Sequence, residues 1–133
     1  MKFLAALRLV AAVHAVAVCL QPLLAGAYLN GSGAAMRLHE PIGLGVAFVA
    51  LAQLLIAVLY WRSGGRGSAP LVSLLLLAAE GFQIGMGYSR ELALHVPLGV
   101  ATVAIACAFA AWTFRKTARV RRTAEAVPSE VLA

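Results

Sequence analysis

Charge is scarce in this chain, with 12% of residues Asp, Glu, Lys or Arg. Cysteine is scarcer: Cys19 and Cys107 are the two, and each lies inside an apolar run, where the thiol behaves as a small hydrophobe. Neither has a CxxC or CxxCH neighbour, which disfavours a zinc site and covalent c-type haem. No residue set reads as a nucleophile beside its base, so hydrolytic chemistry has no support. Long polar stretches are also missing. Four apolar runs use up nearly all of the 133 residues and leave no room for a separate soluble domain.

What is present is hydrocarbon-compatible. The chain is 62% hydrophobic, against about 45–50% in soluble domains, and its mean hydropathy is +0.90. A membrane-spanning helix needs about 20 apolar residues to cross roughly 30 Å of hydrocarbon. The runs and their turn signals predict an all-α integral membrane four-helix bundle over residues 1–116, with helices at about 3–27, 39–61, 69–88 and 92–114. Residues 117–133 then form a basic cytoplasmic tail. The amino end also has features of a signal peptide: Lys2 and Arg8, an apolar stretch, and Ala25-Gly26-Ala27. His14 and Gln21 inside that stretch argue for a retained helix.

The net charge of +6 does not point to nucleic acid, because no contiguous soluble basic face exists. The basic residues mark orientation instead. Lys2 and Arg8 at the amino end, Arg62 and Arg66 in the middle loop, and Arg115, Lys116, Arg119, Arg121 and Arg122 after the last helix predict a multi-pass protein of the cell membrane with both termini cytoplasmic.

One pattern occurs twice. Leu38-His39-Glu40-Pro41-Ile42-Gly43 and Leu94-His95-Val96-Pro97-Leu98-Gly99 both read Leu-His-x-Pro-aliphatic-Gly, 56 positions apart. Gln21 with Gly26 is loosely matched by Gln83 with Gly87. The chain therefore reads as two similar helical hairpins, packed about a pseudo-twofold axis along the membrane normal. On that reading His39 and His95 face each other from the second and fourth helices near the outer surface. Gly43 and Gly99, four residues on, lie one turn along the same helix faces. A missing Cβ there admits a flat macrocycle, and a porphyrin iron accepts two axial histidines. Pro41 and Pro97 fit a first helical turn, which sets the ligands near the helix start. A duplicated hairpin held together by small residues gives the same pattern without any ligand.

Other polar residues line the same interior. Glu80, Gln83 and Gly87 share one face of the third helix. Glu80 lies near mid-membrane, where a carboxylate is costly unless protonated or paired. His14, deeper in the first helix, is a partner for it and a less favoured iron ligand, since it has no repeat counterpart. Arg37 and Arg90 sit near the histidines and suit haem propionates, because Arg binds carboxylates bidentately. An ordinary interfacial role is the alternative for both.

With these residues in view, the chain resembles one half of haem A synthase. The resemblance rests on His39 and His95, on Gln21-Pro22-Leu23-Leu24-Ala25-Gly26 and on Gly31-Ser32-Gly33, and it covers most of residues 3–114. It implies a haem held near the outer face between the second and fourth helices. That family's catalytic half has a Glu shortly before the second-helix His, whereas Glu40 follows His39, and no second half is present. The resemblance thus implies a haem b electron-transfer unit, with His39, His95, Gly43, Gly99, Arg37, Arg90, Gln21 and Gln83 around the cofactor. Quinone or a redox protein would be its partner, and the lipid bilayer its surroundings. The alternative is a non-haem structural or accessory subunit of a larger membrane complex. A third class, with weaker support, is a small transporter or proton path using His14 and Glu80.

Overall fold

The computed structural model describes residues 2–119. Four α-helices follow in order: α1 Leu4–Leu29, α2 Gly33–Arg62, α3 Ser68–Ser89 and α4 Leu92–Phe114, then a 3-10 turn at Lys116–Arg119. Each of the four is long and apolar enough to cross a membrane. Residues 120–133, most of the expected cytoplasmic tail, lie outside the described residues.

Short connections force successive helices to run antiparallel. Gly31 (φ 95°) and Gly64 (φ 96°) supply left-handed backbone in the first two turns, and Arg90 (φ 58°) does so in the third. The helices pack in a ring, α1 on α2, α2 on α3, α3 on α4 and α4 on α1. The two hairpins, α1–α2 and α3–α4, are thus side by side, with α2 diagonal to α4 and α1 diagonal to α3.

The bundle has small and polar residues inside and large apolar ones outside. Ala11, Ala15, Ala50, Ala57 and Ala106 are buried, whereas Phe48 is 73% exposed and Leu9 69%. That inversion is what a bilayer selects. Lipid solvates large side chains as well as a core does, so helices associate through close backbone approach and interhelical hydrogen bonds.

Helix α2 starts earlier than its sequence suggests. Residues 33–38 were expected to be loop but are helical, capped by Ser32 Oγ accepting from Ala35 N at 3.4 Å. His39 is therefore nearly two turns inside α2, and Pro41 is in the helix interior rather than in its first turn. In α4, which starts at Leu92, His95 does lie in the first turn and Pro97 in the second.

The basic end is pinned by side chains. Arg8 Nε donates to Thr113 O at 2.9 Å, and its guanidinium lies 5.4 Å from the Phe114 ring centroid. Fully buried Tyr60 donates its hydroxyl to Ala118 O at 2.9 Å, and Arg66 Nε donates to Thr117 O at 3.0 Å. Thr117 and Ala118, the first residues of the expected tail, are thus docked. Gly65 makes room for Tyr60, since a Cβ there would collide with the ring.

Candidate functional site

At the end opposite those basic residues, the two repeated histidines meet across the α2–α4 diagonal. Their ring centroids are 6.2 Å apart, and the planes are inclined by 58°. Two imidazoles bound to opposite sides of one metal, with bonds of about 2.0 Å, have centroids roughly 6 Å apart. The centroid spacing of His39 and His95 is close to that length.

Each histidine is held by the glutamine of its own hairpin. His95 Nδ1 is 3.0 Å from Gln83 O, and a carbonyl only accepts, so Nδ1 carries the hydrogen and Nε2 a lone pair. Gln83 Nε2 donates to His95 O at 2.8 Å. Gly87 permits this approach: a Cβ there would meet His95 Cε1 at 3.3 Å. In the other hairpin, the Gln21 amide that satisfies its neighbours donates from Nε2 to His39 O at 3.2 Å and accepts from Gly43 N at 3.1 Å, and the Gln21 backbone also bonds the His39 ring. The two hairpins thus hold their histidines alike.

The glycines face the glutamines. A Cβ on Gly43 would meet the Gln21 side-chain amide at 3.5 Å, and one on Gly99 would meet Gln83 Nε2 at 3.0 Å. The faces expected to admit a macrocycle are thus covered by Gln21 and Gln83. Arg37 lies along the start of its own helix, near Gly33, and Arg90 caps α3. Among the described residues neither forms an ion pair. Glu40, beside His39, instead accepts from Tyr88 Oη at 2.7 Å, which ties α2 to the end of α3.

A second polar cluster occupies the middle of the bundle. His14 Nε2 is 2.5 Å from Glu80 Oε1 across the α1–α3 diagonal, and His14 Nδ1 is 3.0 Å from Gln53 Oε1 on α2. Gln53 Nε2 donates to Ser73 Oγ on α3 at 3.3 Å. All four residues are buried. The expected pairing of His14 with Glu80 is present, and it engages both ring nitrogens of His14 with protein groups rather than leaving one for a metal. Gln53 and Ser73 were missed in the sequence. Their signal was the one that identified Glu80, a polar side chain at mid-depth in an apolar run.

No group of three or more His, Cys, Asp or Glu residues suited to a metal exists among the described residues, so any metal at this end rests on the two histidines. Comparisons of the chain with protein families, with curated proteins and with solved structures find no match.

Proposed function

We propose that the protein is a small integral membrane cytochrome b of the cell membrane. His39 and His95 would be the axial ligands of one haem b, which would pass single electrons near the outer face to or from a quinone or a redox protein. The observation that carries this reading is the 6.2 Å separation of the two imidazole centroids. Two further features support it. His95 has the arrangement usual for a metal-ligating histidine, with one ring nitrogen donating to a backbone carbonyl and the other bearing a lone pair. The Gln21 backbone likewise bonds the His39 ring. The haem would supply a one-electron couple. The chain's own residues would fix the imidazole orientations through Gln21 and Gln83, and exclude water with the surrounding apolar helices.

The orientation we propose has both termini cytoplasmic, from the bias of basic residues toward the Arg8, Arg66 and Lys116 end. Ser32→Cys should then be labelled from outside and Ser68→Cys protected.

A second reading, an accessory subunit without haem, is favoured by one observation: Gln21 and Gln83 already cover Gly43 and Gly99. An optical spectrum of purified protein, oxidised and reduced, separates the two. The cytochrome reading expects a Soret band and a sharp α band on reduction, and a colourless protein overturns it.

A further inference from the structure

The hairpin repeat builds two apolar grooves, one per hairpin, both in the half of the bundle that carries the basic residues. The α3–α4 groove has a volume of about 290 Å³ and is lined by Ser68, Val72, Ile105, Ala108, Phe109 and Trp112. The α1–α2 groove, of about 310 Å³, has Ala6, Val10, Ala52 and Ile56 in its lining. An offset of 62 residues superposes Val10 on Val72, and one of 56 superposes Ala52 on Ala108. The same offsets put Ser68 where the first groove has Ala6, and Trp112 where it has Ile56. The α3–α4 groove thus has a hydroxyl and an indole N–H at its basic end that its twin lacks. Trp112 stacks on Phe109 with ring centroids 5.6 Å apart. That contact holds the indole near the helix end, the depth at which membrane tryptophans meet the headgroups.

The cations at this end are not neutralised by the protein. Arg66 lies two residues before Ser68, Arg115 caps α4 three residues after Trp112, and Lys116 opens the 3-10 turn that ends at Arg119. All four are exposed. Arg66 donates Nε to Thr117 O, and no hydrogen bond among the described residues takes up its other two nitrogens. Nor does any of the four pair with a carboxylate among the described residues. Glu40 and Glu91 are at the opposite end of the bundle, and Glu80 is bonded to His14 at its centre. A hydrocarbon slot that ends at a group of cations matches a molecule with an apolar chain and an anionic head. Basic clusters at the ends of membrane helices recognise anionic lipids by this chemistry.

We propose that the α3–α4 groove is a binding site for one anionic phospholipid. An acyl chain lies against Val72, Ile105 and Ala108, and the headgroup phosphate sits at the level of Arg66, Arg115 and Lys116, with Ser68 and Trp112 as further donors. The α1–α2 groove, without those two donors, is the weaker site. The lipid site is independent of the histidine end, so it stands or falls apart from the haem reading.

The test is native mass spectrometry of the full chain released from phosphatidylcholine nanodiscs holding a minority of phosphatidylglycerol with the same acyl chains. The wild type should retain one phosphatidylglycerol in preference to phosphatidylcholine, and the preference should weaken as salt rises. Arg66→Gln and Arg115→Gln should each lower the phosphatidylglycerol affinity about fivefold, the effect of one cation near an anionic lipid surface. Ala108→Phe should fill the groove and remove the retained lipid, whereas Ala52→Phe, its counterpart in the twin groove, should keep it. If Ala108→Phe does not fold, the two arginine variants decide, since Arg66 and Arg115 lie outside the helices. Inorganic phosphate in excess should not displace the lipid. Equal retention of the two lipids, retention unchanged in Ala108→Phe or in both arginine variants, or displacement by inorganic phosphate overturns the proposal.

Discussion

The two hairpins are alike at one end and unlike in the middle. At the end away from the basic residues each sets a glutamine from its first helix against a histidine and a glycine of its second: Gln21 with His39 and Gly43, Gln83 with His95 and Gly99. The offset of 62 residues that superposes Gln21 on Gln83 also superposes His14 on Leu76 and Val18 on Glu80. All four are buried, and Val18 and Leu76 pack in one apolar cluster with Val46 and Ala106. Of two pseudo-equivalent diagonal pairs, one is His14–Glu80 and the other Val18–Leu76. Repetition thus builds a matched pair of histidines at the end, and departure from it builds a single polar pair at the centre.

The largest expected effect tests that central departure. Glu80→Val alone leaves His14 Nε2 without its partner, and His14→Leu alone leaves Glu80 Oε1 without its partner. Each should destabilise the bundle by about 1–3 kcal/mol, the usual penalty for a stranded buried polar group. The double variant copies the Val18–Leu76 pair and should lose less than the sum, as coupled residues do. Thermal unfolding in detergent gives the cycle. Strict additivity would mean that the two side chains do not act as a pair.

Much of this was legible in the sequence, because membrane helices advertise themselves. Four apolar runs, the turn at Asn30–Gly33 and the repeated Leu-His-x-Pro-aliphatic-Gly were sufficient for the helix count, the hairpin pairing and the meeting of His39 with His95. The start of α2 was not legible, since Gly33 and Arg37 read as loop residues and Ser32 was not recognised as its cap. Nor was the neighbour of Gly43 and Gly99. Helical spacing identifies which face a glycine lies on, but what covers that face depends on the axial register of the adjacent helix. That register brings Gln21 and Gln83 there.

A smaller effect should separate the two glycines. Gly99→Ala presses on Gln83 Nε2 at 3.0 Å, whereas Gly43→Ala makes an ordinary contact with Gln21 at 3.5 Å. We expect Gly99→Ala to cost about 1 kcal/mol, at the low end for overpacking, and Gly43→Ala to be near neutral. Equal losses would show that the two clamps are closer in geometry than their distances indicate.

The smallest effect concerns ring orientation. Gln21→Leu and Gln83→Leu each remove a side-chain amide, and each leaves the histidine ring bonded to the backbone of residue 21 or 83. Both rings should therefore stay ordered, as read from imidazole line widths in NMR spectra. Each lost bond should cost about 1 kcal/mol.

The central claim is that His39 and His95 together hold one haem. Its most direct test is the oxidised and reduced optical spectrum, with electron paramagnetic resonance of the oxidised form, for wild type, His39→Ala, His95→Ala and His14→Ala. The account predicts six-coordinate low-spin iron in the wild type and in His14→Ala, and loss of haem or of low-spin character in both His39→Ala and His95→Ala. A wild type without haem, an unchanged low-spin spectrum in His95→Ala, or a loss confined to His14→Ala would contradict it.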